Sequence, residues 1–231
     1  MTTASVCMTL SGVVRGARRL APLAVFMTPL GMAYGVAAIE SGMSSAHAIA
    51  SSILVYSAAA QFTAVDFWGP DISLLALFLV TLAVSARHVI MGAALSPWVN
   101  QLDAKRRILG AAFLSDPNFA YAHTALKQNE NDVGVLVGAG AITWSTWVLG
   151  TAVGAIAGAQ LGDPRTYGID VLMPVYFAAL VVPGLLSDTR WVFAVVAALV
   201  AVASQPFVPT GWNIILAALA GGVVGVWTVD E

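Results

Sequence analysis

This sequence contains little cysteine and little charge. Cys7 is its single cysteine, which excludes an internal disulfide and a cysteine-based metal cluster. Only 10% of its 231 residues are charged and 59% are hydrophobic, whereas soluble domains carry about 25% charge. The net charge of -2 and the lack of a large basic cluster exclude a nucleic-acid footprint. The first 20 residues do not combine a basic start with a following apolar core and cleavage site. We therefore expect no cleavable signal peptide.

Apolar runs fill most of the chain, and a run of about 20 such residues can cross a bilayer as a helix. We predict an all-α, polytopic membrane helix bundle of about seven transmembrane helices, with one or more broken or re-entrant segments. Residues 1–19 are expected to form a cytoplasmic N-terminal segment, and residues 20–228 a single transmembrane domain. The candidate spans are 20–39, 48–67, 72–97, 133–160, 170–186, 191–204 and 212–228.

One further segment, 108–126, is interrupted by a polar stretch that reads SDPN. An Asp followed by Pro is typical of a helix start, with Asp116 as the cap and Pro117 at the first helical position. The segment is therefore either a broken span or a pair of half-helices. Alternatively, Asp116 is functional, because a carboxylate within a membrane marks a functional site by default.

The basic residues give conflicting topologies. Arginines among residues 15–19 place the N-terminus in the cytoplasm, and the basic residues 105–107 should lie there too. Two cytoplasmic clusters require an even number of crossings between them, but three candidate spans intervene. Either one segment is re-entrant or broken, or the second cluster lies outside. We expect a broken segment, because the Pro/Gly-rich stretch 28–35 interrupts the first run and Arg87–His88 interrupts the third.

Arg87 lies in the middle of the apolar run 72–97, about 15 Å or more from either end at 1.5 Å per residue. An arginine at this depth costs at least about 2.5 kcal/mol and needs an anion, water or backbone carbonyls. Two roles are open to it: pairing with Asp66 or Asp116, or binding a substrate carboxylate. The adjacent His88 either carries a proton or bonds a backbone carbonyl.

Two further stretches combine small residues with polar or helix-breaking ones. Ser57 and Gln61 lie four apart and should share a helix face, either lining a cavity or bonding across a helix interface. Pro29, Gly31 and Gly35 form either a plain kink or a broken helix with free carbonyls and amides.

Glycines recur at four-residue spacing, which lets helix backbones approach closely in lipid. These faces serve either packing inside the bundle or contact with a partner subunit. They comprise Gly31 and Gly35, Gly134 and Gly138, Gly221 and Gly225, and the series Gly150, Gly154, Gly158 and Gly162.

The motifs, taken in order, resemble those of the AzlC family, the large subunit of bacterial branched-chain amino acid exporters. The chain reads PLGMAYG, SAAAQF, ARHVIMGAALSP, KRR and then SDPNFA. The resemblance covers residues 16–126 best and extends beyond them by hydropathy and spacing. It implies export of leucine, isoleucine, valine and in some members methionine across the inner membrane, coupled to protons, with a small AzlD-type membrane subunit as partner.

On this basis we predict a transporter and not an enzyme, with no cofactor and no metal. Substrate-binding residues are predicted to be Arg87, Gln61, Pro29, Gly31, Gly35 and Asn118. Proton-coupling residues are predicted to be Asp116 and His88. The alternatives are an exporter of another small solute on the same scaffold, or a channel.

Three positions depart from the family pattern. Pro29-Leu30-Gly31 stands where Pro-Phe-Gly is frequent, and Ser85 stands where an Asn is usual. Pro117 follows Asp116 where the family commonly has a Glu. If that Glu carries protons in relatives, this chain lacks it.

Overall fold

The structure is a computed structural model that describes residues 6–69, 74–161, 171, 175, 178, 182, 191–208 and 212–229. Within these residues the regular structure is helical, and an isolated parallel bridge joins Cys7 to Asp132. The all-α prediction is thereby confirmed, while the number of spans stays a prediction. The candidate span 170–186 lies outside the described residues, apart from four single positions.

The helices divide between two compact units: Met1–Gly69 with Ser85–Gly162, and Pro70–Val84 with Asp163–Glu231. In chain order they are α1 (Leu10–Glu40), α2 (Ser45–Leu54), α3 (Ala58–Asp66), α4 (Leu74–Ser85), α5 (Arg87–Val99), α6 (Ala104–Ala112), α7 (Asp116–Lys127), α8 (Gly134–Leu161), α9 (Trp191–Ser204) and α10 (Trp212–Val229). All but α4, α9 and α10 belong to the first unit.

Helices α1 and α8 form the frame of the first unit. Both are long and apolar enough to cross a membrane. Large apolar side chains on their outer faces are exposed, including Phe26 at 63% and Ile156 at 66%. An apolar outer face of this kind suits contact with lipid rather than water.

Glycines bring α1 and α8 into direct backbone contact. A Cβ added at Gly138 would overlap the carbonyl oxygen of Val13, and one at Gly154 would overlap that of Met32. Because the residue numbers of the contacting positions increase together in both helices, the two helices run parallel. The packing interpretation of the four-residue glycine spacing is confirmed for Gly31, Gly35, Gly134, Gly138, Gly150 and Gly154.

A polar clasp joins the beginnings of α1 and α8. The carboxylate of Asp132 accepts hydrogen bonds from the Thr9 backbone N–H (3.0 Å) and hydroxyl and from the Gly134 N–H (2.9 Å). Arg15 lies 3.3 Å from the same carboxylate. Both helices therefore start at one end of the unit, which we call the amino end; the opposite end is the carboxyl end.

The first predicted break is wrong. Helix α1 begins at Leu10, well before residue 20, and continues without interruption through Pro29. The backbone of α8 lies directly against Gly31 and Gly35, so interhelical packing holds the helix straight through this stretch.

The run predicted as one span over 48–67 is instead a hairpin of two short helices. Helix α2 descends along α8 from the carboxyl end: Ser45 bonds the carbonyl of Ala155 (3.0 Å), whereas Tyr56 bonds that of Gly140 (3.1 Å). Helix α3 then returns, and Trp68 reaches the ring of His47. This segment enters from the carboxyl end and leaves at the same end, so it is re-entrant.

Helices α6 and α7 form a second hairpin that enters from the amino end. Gly110 of α6 faces Leu136, and the Phe113 carbonyl at the tip faces Gly140. Helix α7 returns to the start of α8. The prediction of two half-helices in 108–126 is confirmed, with residues 113–115 between them.

The α2–α3 hairpin resolves the conflict between the basic clusters. Helix α1 leads to the carboxyl end, the α2–α3 hairpin stays there, and α5 ends beside Gly110 of α6, near the amino end. Two net crossings therefore separate the two basic clusters, and both lie at the amino end. The re-entrant segment is the second run. The third is interrupted at Ala86, as predicted, next to Arg87.

In the second unit, α9 and α10 pack against each other. Gly221 of α10 sits close to Phe193 and Ala197 of α9, where an added Cβ would lie 3.0 Å from the Ala197 Cβ. Large apolar side chains such as Leu199 and Trp227 remain exposed. The packing of Gly221 agrees with the small-residue interpretation.

Candidate functional site

Three helices begin close together in the middle of the first unit. The N-terminal turns of α3, α5 and α7 lie near one another, because Arg87 contacts both Ser57 (3.4 Å) and Asp116 (2.9 Å). Free N–H groups and the partial positive charge of a helix N-terminus favour anions. The starts of α3 and α7 and one guanidinium therefore form an electropositive site that faces one carboxylate.

The ion pair between Arg87 and Asp116 is the centre of this site. Its side chains are 30% and 23% exposed, so it is partly shielded and partly open. The Nε of Arg87 is buried and has no hydrogen-bond partner among the described residues. Of the two carboxylates predicted to pair with Arg87, Asp116 is confirmed; the side chain of Asp66 lies outside the described residues.

The start of α7 differs from the prediction. The N-cap is Ser115, and Asp116 is the first helical residue, so the interpretation of Asp116 as the cap is wrong. The amide oxygen of Asn118 accepts the Ser115 N–H at 2.7 Å, and its amide nitrogen donates to the Phe113 carbonyl. Because the Asn118 amide bonds the backbone groups of the turn, the Asp116 carboxylate is not needed there and pairs with Arg87.

Asn118 itself is fully buried within this turn. Its amide nitrogen also lies 3.4 Å from the carbonyl oxygen of Leu136 in α8. The amide is thus occupied by backbone groups, and substrate binding by Asn118 stays a prediction.

Tyr56 joins the two hairpin tips. Its hydroxyl accepts a hydrogen bond from Ser115 (3.2 Å), lies 2.6 Å from the Thr143 hydroxyl, and donates to the Gly140 carbonyl (3.1 Å). Its backbone has φ 41°, a left-handed conformation that favours glycine and asparagine. The strained turn places the Tyr56 hydroxyl in contact with the tip of the second hairpin and with α8.

A cavity of about 480 Å³ adjoins the tips. Its walls come from both hairpins, from α8 and from the junction of α4 and α5, and the large side chains among them are Ile53, Leu54, Val55, Phe113, Leu114 and Trp144. Tyr56, Ser57, Ser85 and His88 contribute polar groups. An open cavity that combines large apolar side chains with a few polar groups suits a small amphipathic molecule.

His88 lines this cavity, and its Nδ1 lies 3.1 Å from the Ser85 carbonyl. This contact is the carbonyl-bonded arrangement that we considered for it. The other ring nitrogen has no hydrogen-bond partner among the described residues, and a proton-coupling role for His88 stays a prediction.

Gln61 belongs to a second polar network, nearer the carboxyl end. Its amide nitrogen donates to Ser51 (3.0 Å) and Ser52 (2.9 Å), and its oxygen accepts from the Trp147 indole (2.9 Å). Ser57 is the N-cap of α3, one turn before Gln61, and its hydroxyl contacts Arg87 (3.4 Å) and not this network. Gln61 joins helices in this structure, and its binding of substrate stays a prediction.

Pro29 lies on a different face of α1 from Gly31 and Gly35. Pro29 is exposed, while an added Cβ at either glycine would overlap α8. The glycines therefore serve the α1–α8 interface here. Substrate binding by these three residues also stays a prediction.

Sequence reasoning missed three residues of the site: Tyr56, Ser115 and Thr143. Ser57 and Ser115 each precede a helix, and a serine before a short apolar helix is an N-cap signal that predicts both starts. Nothing local predicts that Tyr56 meets Ser115, since 58 intervening residues separate them. Within the described chain, no group of three or more His, Cys, Asp or Glu side chains is arranged to hold a metal ion.

Two opposed re-entrant hairpins, an ion pair between α5 and the tip of the second hairpin, and an exposed apolar exterior define a helical membrane protein with a central polar site. Residues 22–161, which contain this whole site, match the family described as AzlC protein. The chain belongs to the AzlC family.

Relatives support this placement over most of the chain. The inner membrane protein YgaZ of Escherichia coli strain K12 is 28% identical over 93% of this chain and 88% of the relative. An uncharacterized membrane protein of Archaeoglobus fulgidus is 29% identical over 89% and 90%, respectively. The branched-chain amino acid transport protein AzlC of Bacillus subtilis strain 168 is 28% identical over 87% and 78%. No solved structure matches the chain. The chain is a multi-pass protein of the inner membrane.

Proposed function

We propose that this chain is the large subunit of a secondary transporter that exports branched-chain amino acids, and that the central site binds them. The observation that carries the proposal is the Arg87–Asp116 ion pair beside an apolar cavity. It supplies a cation for a carboxylate, an anion for an ammonium group, and a chamber for an aliphatic side chain. The similarity to the Bacillus subtilis transport protein supports the same substrate class.

The ion pair and the cavity bind different parts of the substrate. The substrate carboxylate binds Arg87, whose buried Nε has no partner within the described chain, and the N–H groups of the converging helix ends. The ammonium group meets Asp116. The substrate's aliphatic side chain enters the cavity that both hairpins line. Met91 does not line this cavity and packs in the core with Leu95 and Trp98.

The cavity favours leucine over alanine by apolar burial. Leucine has three more side-chain carbons, and burial of each is worth about 0.8 kcal/mol. The resulting preference of about 2.4 kcal/mol corresponds to roughly fifty-fold in binding.

The ion pair also suggests how transport is coupled to protons. A protonated Asp116 cannot form an ion pair with the substrate ammonium group, so a proton and the substrate compete for this carboxylate. Substrate and proton therefore exchange at one pair of residues. The Glu that relatives have after this Asp is not needed for such an exchange.

Three elements of the proposal concern the assembly. Both basic clusters lie at the amino end, so we place this end in the cytoplasm. A small AzlD-type membrane subunit completes the transporter. A bundle of about seven spans with two opposed hairpins matches the general form in which broken helices meet near the midplane.

Counterflow in proteoliposomes tests the function. Vesicles that contain the chain, with and without the small subunit, are loaded with unlabelled leucine and given labelled leucine, valine, methionine, alanine or lysine outside. We expect rapid uptake of the branched-chain substrates, loss of this uptake in Arg87→Gln, and normal uptake in Arg107→Gln, whose side chain is exposed.

Two outcomes contradict the proposal. Uptake of a different solute class, with none of leucine, would assign the scaffold to another substrate. Ion flux that is independent of any amino acid would indicate a channel.

A further inference from the structure

A second cavity, of about 550 Å³, lies at the amino end between α1 and α7. We call it the arginine pocket, after Arg15, Arg18 and Arg19, which line one side. Tyr121 and Gln128 face them with neutral donors, and Glu130 contributes a carboxylate. This cavity is separate from the central site: the two share no lining residue.

The charges of the arginine pocket are unbalanced. Arg15 is held by Glu130 (3.4 Å) and Asp132 (3.3 Å). Arg18 and Arg19 form no ion pair within the described part of the chain, and both are exposed. Glu130 and the carbonyl end of α7 oppose an anion, but Arg15 already pairs with Glu130. Two guanidinium groups therefore remain for an external anion.

The exposed face of α1 changes from basic to apolar directly beyond these arginines. Leu23 and Phe26 follow on this face, 40% and 63% exposed. At 1.5 Å per residue, Phe26 lies about 10 Å along the helix from Arg19. Cationic side chains at the level of the headgroups, followed by an apolar surface, match the two parts of a phospholipid.

We propose that the arginine pocket binds the phosphate group of an anionic phospholipid, whose acyl chains lie against the exposed face of α1. Arginine matches phosphate well, because its planar fork donates two parallel hydrogen bonds. Free phosphate presents the same chemistry to the arginines but makes no contact with Leu23 or Phe26. The lipid is thus the occupant that uses both features.

Binding is measured on the purified full chain in a zwitterionic detergent, by the rise in Tm on addition of phosphatidylglycerol, phosphatidylcholine or inorganic phosphate. We expect a saturable rise with phosphatidylglycerol alone. In the double variant Arg18→Gln, Arg19→Gln the apparent affinity should fall roughly thirty-fold, since each basic residue near an anionic surface contributes about five-fold.

Lys105→Gln with Arg107→Gln is the matched control, because it removes two exposed charges at the same end but outside the pocket. It should bind phosphatidylglycerol as the wild type does. Phe26→Ser keeps every arginine and should weaken lipid binding without affecting the elution volume on size exclusion.

Three results would overturn the proposal. The first is an equal rise with inorganic phosphate, which would mean that the acyl chains do not contribute. The second is unchanged affinity in the double arginine variant when its elution volume and Tm without lipid match the wild type. The third is an equal loss in the lysine and arginine control.

Discussion

The guanidinium of Arg87 lies 2.9 Å from the carboxylate of Asp116, so an ion pair joins the first turns of α5 and α7. The two residues come from segments that each looked like an interrupted span, and each is the first helical residue after an interruption. A charge that is unfavourable in either segment alone becomes favourable when the two interruptions meet.

Removal of one partner of the Arg87–Asp116 pair should cost more than removal of both. Arg87→Gln and Asp116→Asn each leave a partly buried charge without its partner, whereas the double variant leaves two neutral amides. We expect a coupling energy of about 1–3 kcal/mol, reduced from that of a fully buried pair because both side chains are partly exposed. Thermal unfolding of the four proteins in detergent measures it. Additive losses would show that the pair contributes no interaction energy.

Asp116→Asn should separate exchange from proton-driven transport. The amide cannot ionise, so leucine counterflow should persist at a reduced rate, while a pH gradient should no longer drive accumulation. Both assays are run on the same proteoliposomes, with His88→Gln for comparison. Proton-driven transport by Asp116→Asn would place the coupling group elsewhere.

Tyr56→Phe should loosen the contact between the hairpin tips. It removes the hydroxyl that accepts from Ser115 and donates to Gly140, at a cost of about 1 kcal/mol in unfolding free energy. It should also speed the alkylation of a cysteine introduced as Ser57→Cys in a Cys7→Ser background. Tyr121→Phe, outside this network, is the control. Equal alkylation rates in the two proteins would mean that Tyr56 does not close the tips.

Gly138→Ala should be strongly destabilising, because its Cβ would overlap the Val13 carbonyl oxygen in the α1–α8 interface. Forcing a methyl group into tight backbone packing costs about 1–3 kcal/mol. Gly92→Ala is a matched control in α5, since its Cβ would meet nothing within 4 Å. It should be neutral or stabilising by less than about 1 kcal/mol. A similar Tm for both variants would contradict the close contact.

Asp132→Asn should remove a pH-dependent part of the stability. Burial alone raises the pKa of Asp132, but hydrogen bonds from Thr9 and Gly134 and the charge of Arg15 outweigh it and hold the pKa below its ordinary value of 3.8. A carboxyl group with a lowered pKa stabilises the fold above that ordinary value, and the contribution is lost as pH falls through the folded pKa.

The Tm difference between wild type and Asp132→Asn should therefore be full at pH 7, where it reflects about 2 kcal/mol, and should shrink below pH of about 4. Asp103→Asn is the control, because this carboxylate is 55% exposed and pairs only with its neighbour Arg106. A constant difference from pH 7 to pH 3 would show that the charge of Asp132 does not stabilise the clasp.

Several features were predictable because their causes are local. Low charge and long apolar runs indicate membrane helices whatever their arrangement, and the polar stretch before Asn118 predicts a helix start. The spacing of Gly150 and Gly154 predicts close helix packing, since it depends only on the pitch of a helix. The unfavourable position of Arg87 within an apolar run indicates that a partner must exist.

Other features depended on the tertiary structure. Pro29 and Gly31 suggested a break that packing against α8 prevents, whereas the N-cap signal of Ser57 does not by itself distinguish a re-entrant turn from a continuous span. Hydropathy records whether a segment leaves water but not whether it returns to the side from which it came. The pairing of Arg87 with Asp116, and the contact of Tyr56 with Ser115, require two hairpins to enter from opposite ends. The amino-acid sequence by itself therefore determined the environment of the helices and the need for a partner charge, and only long-range packing decided which helices turn back and which residues meet.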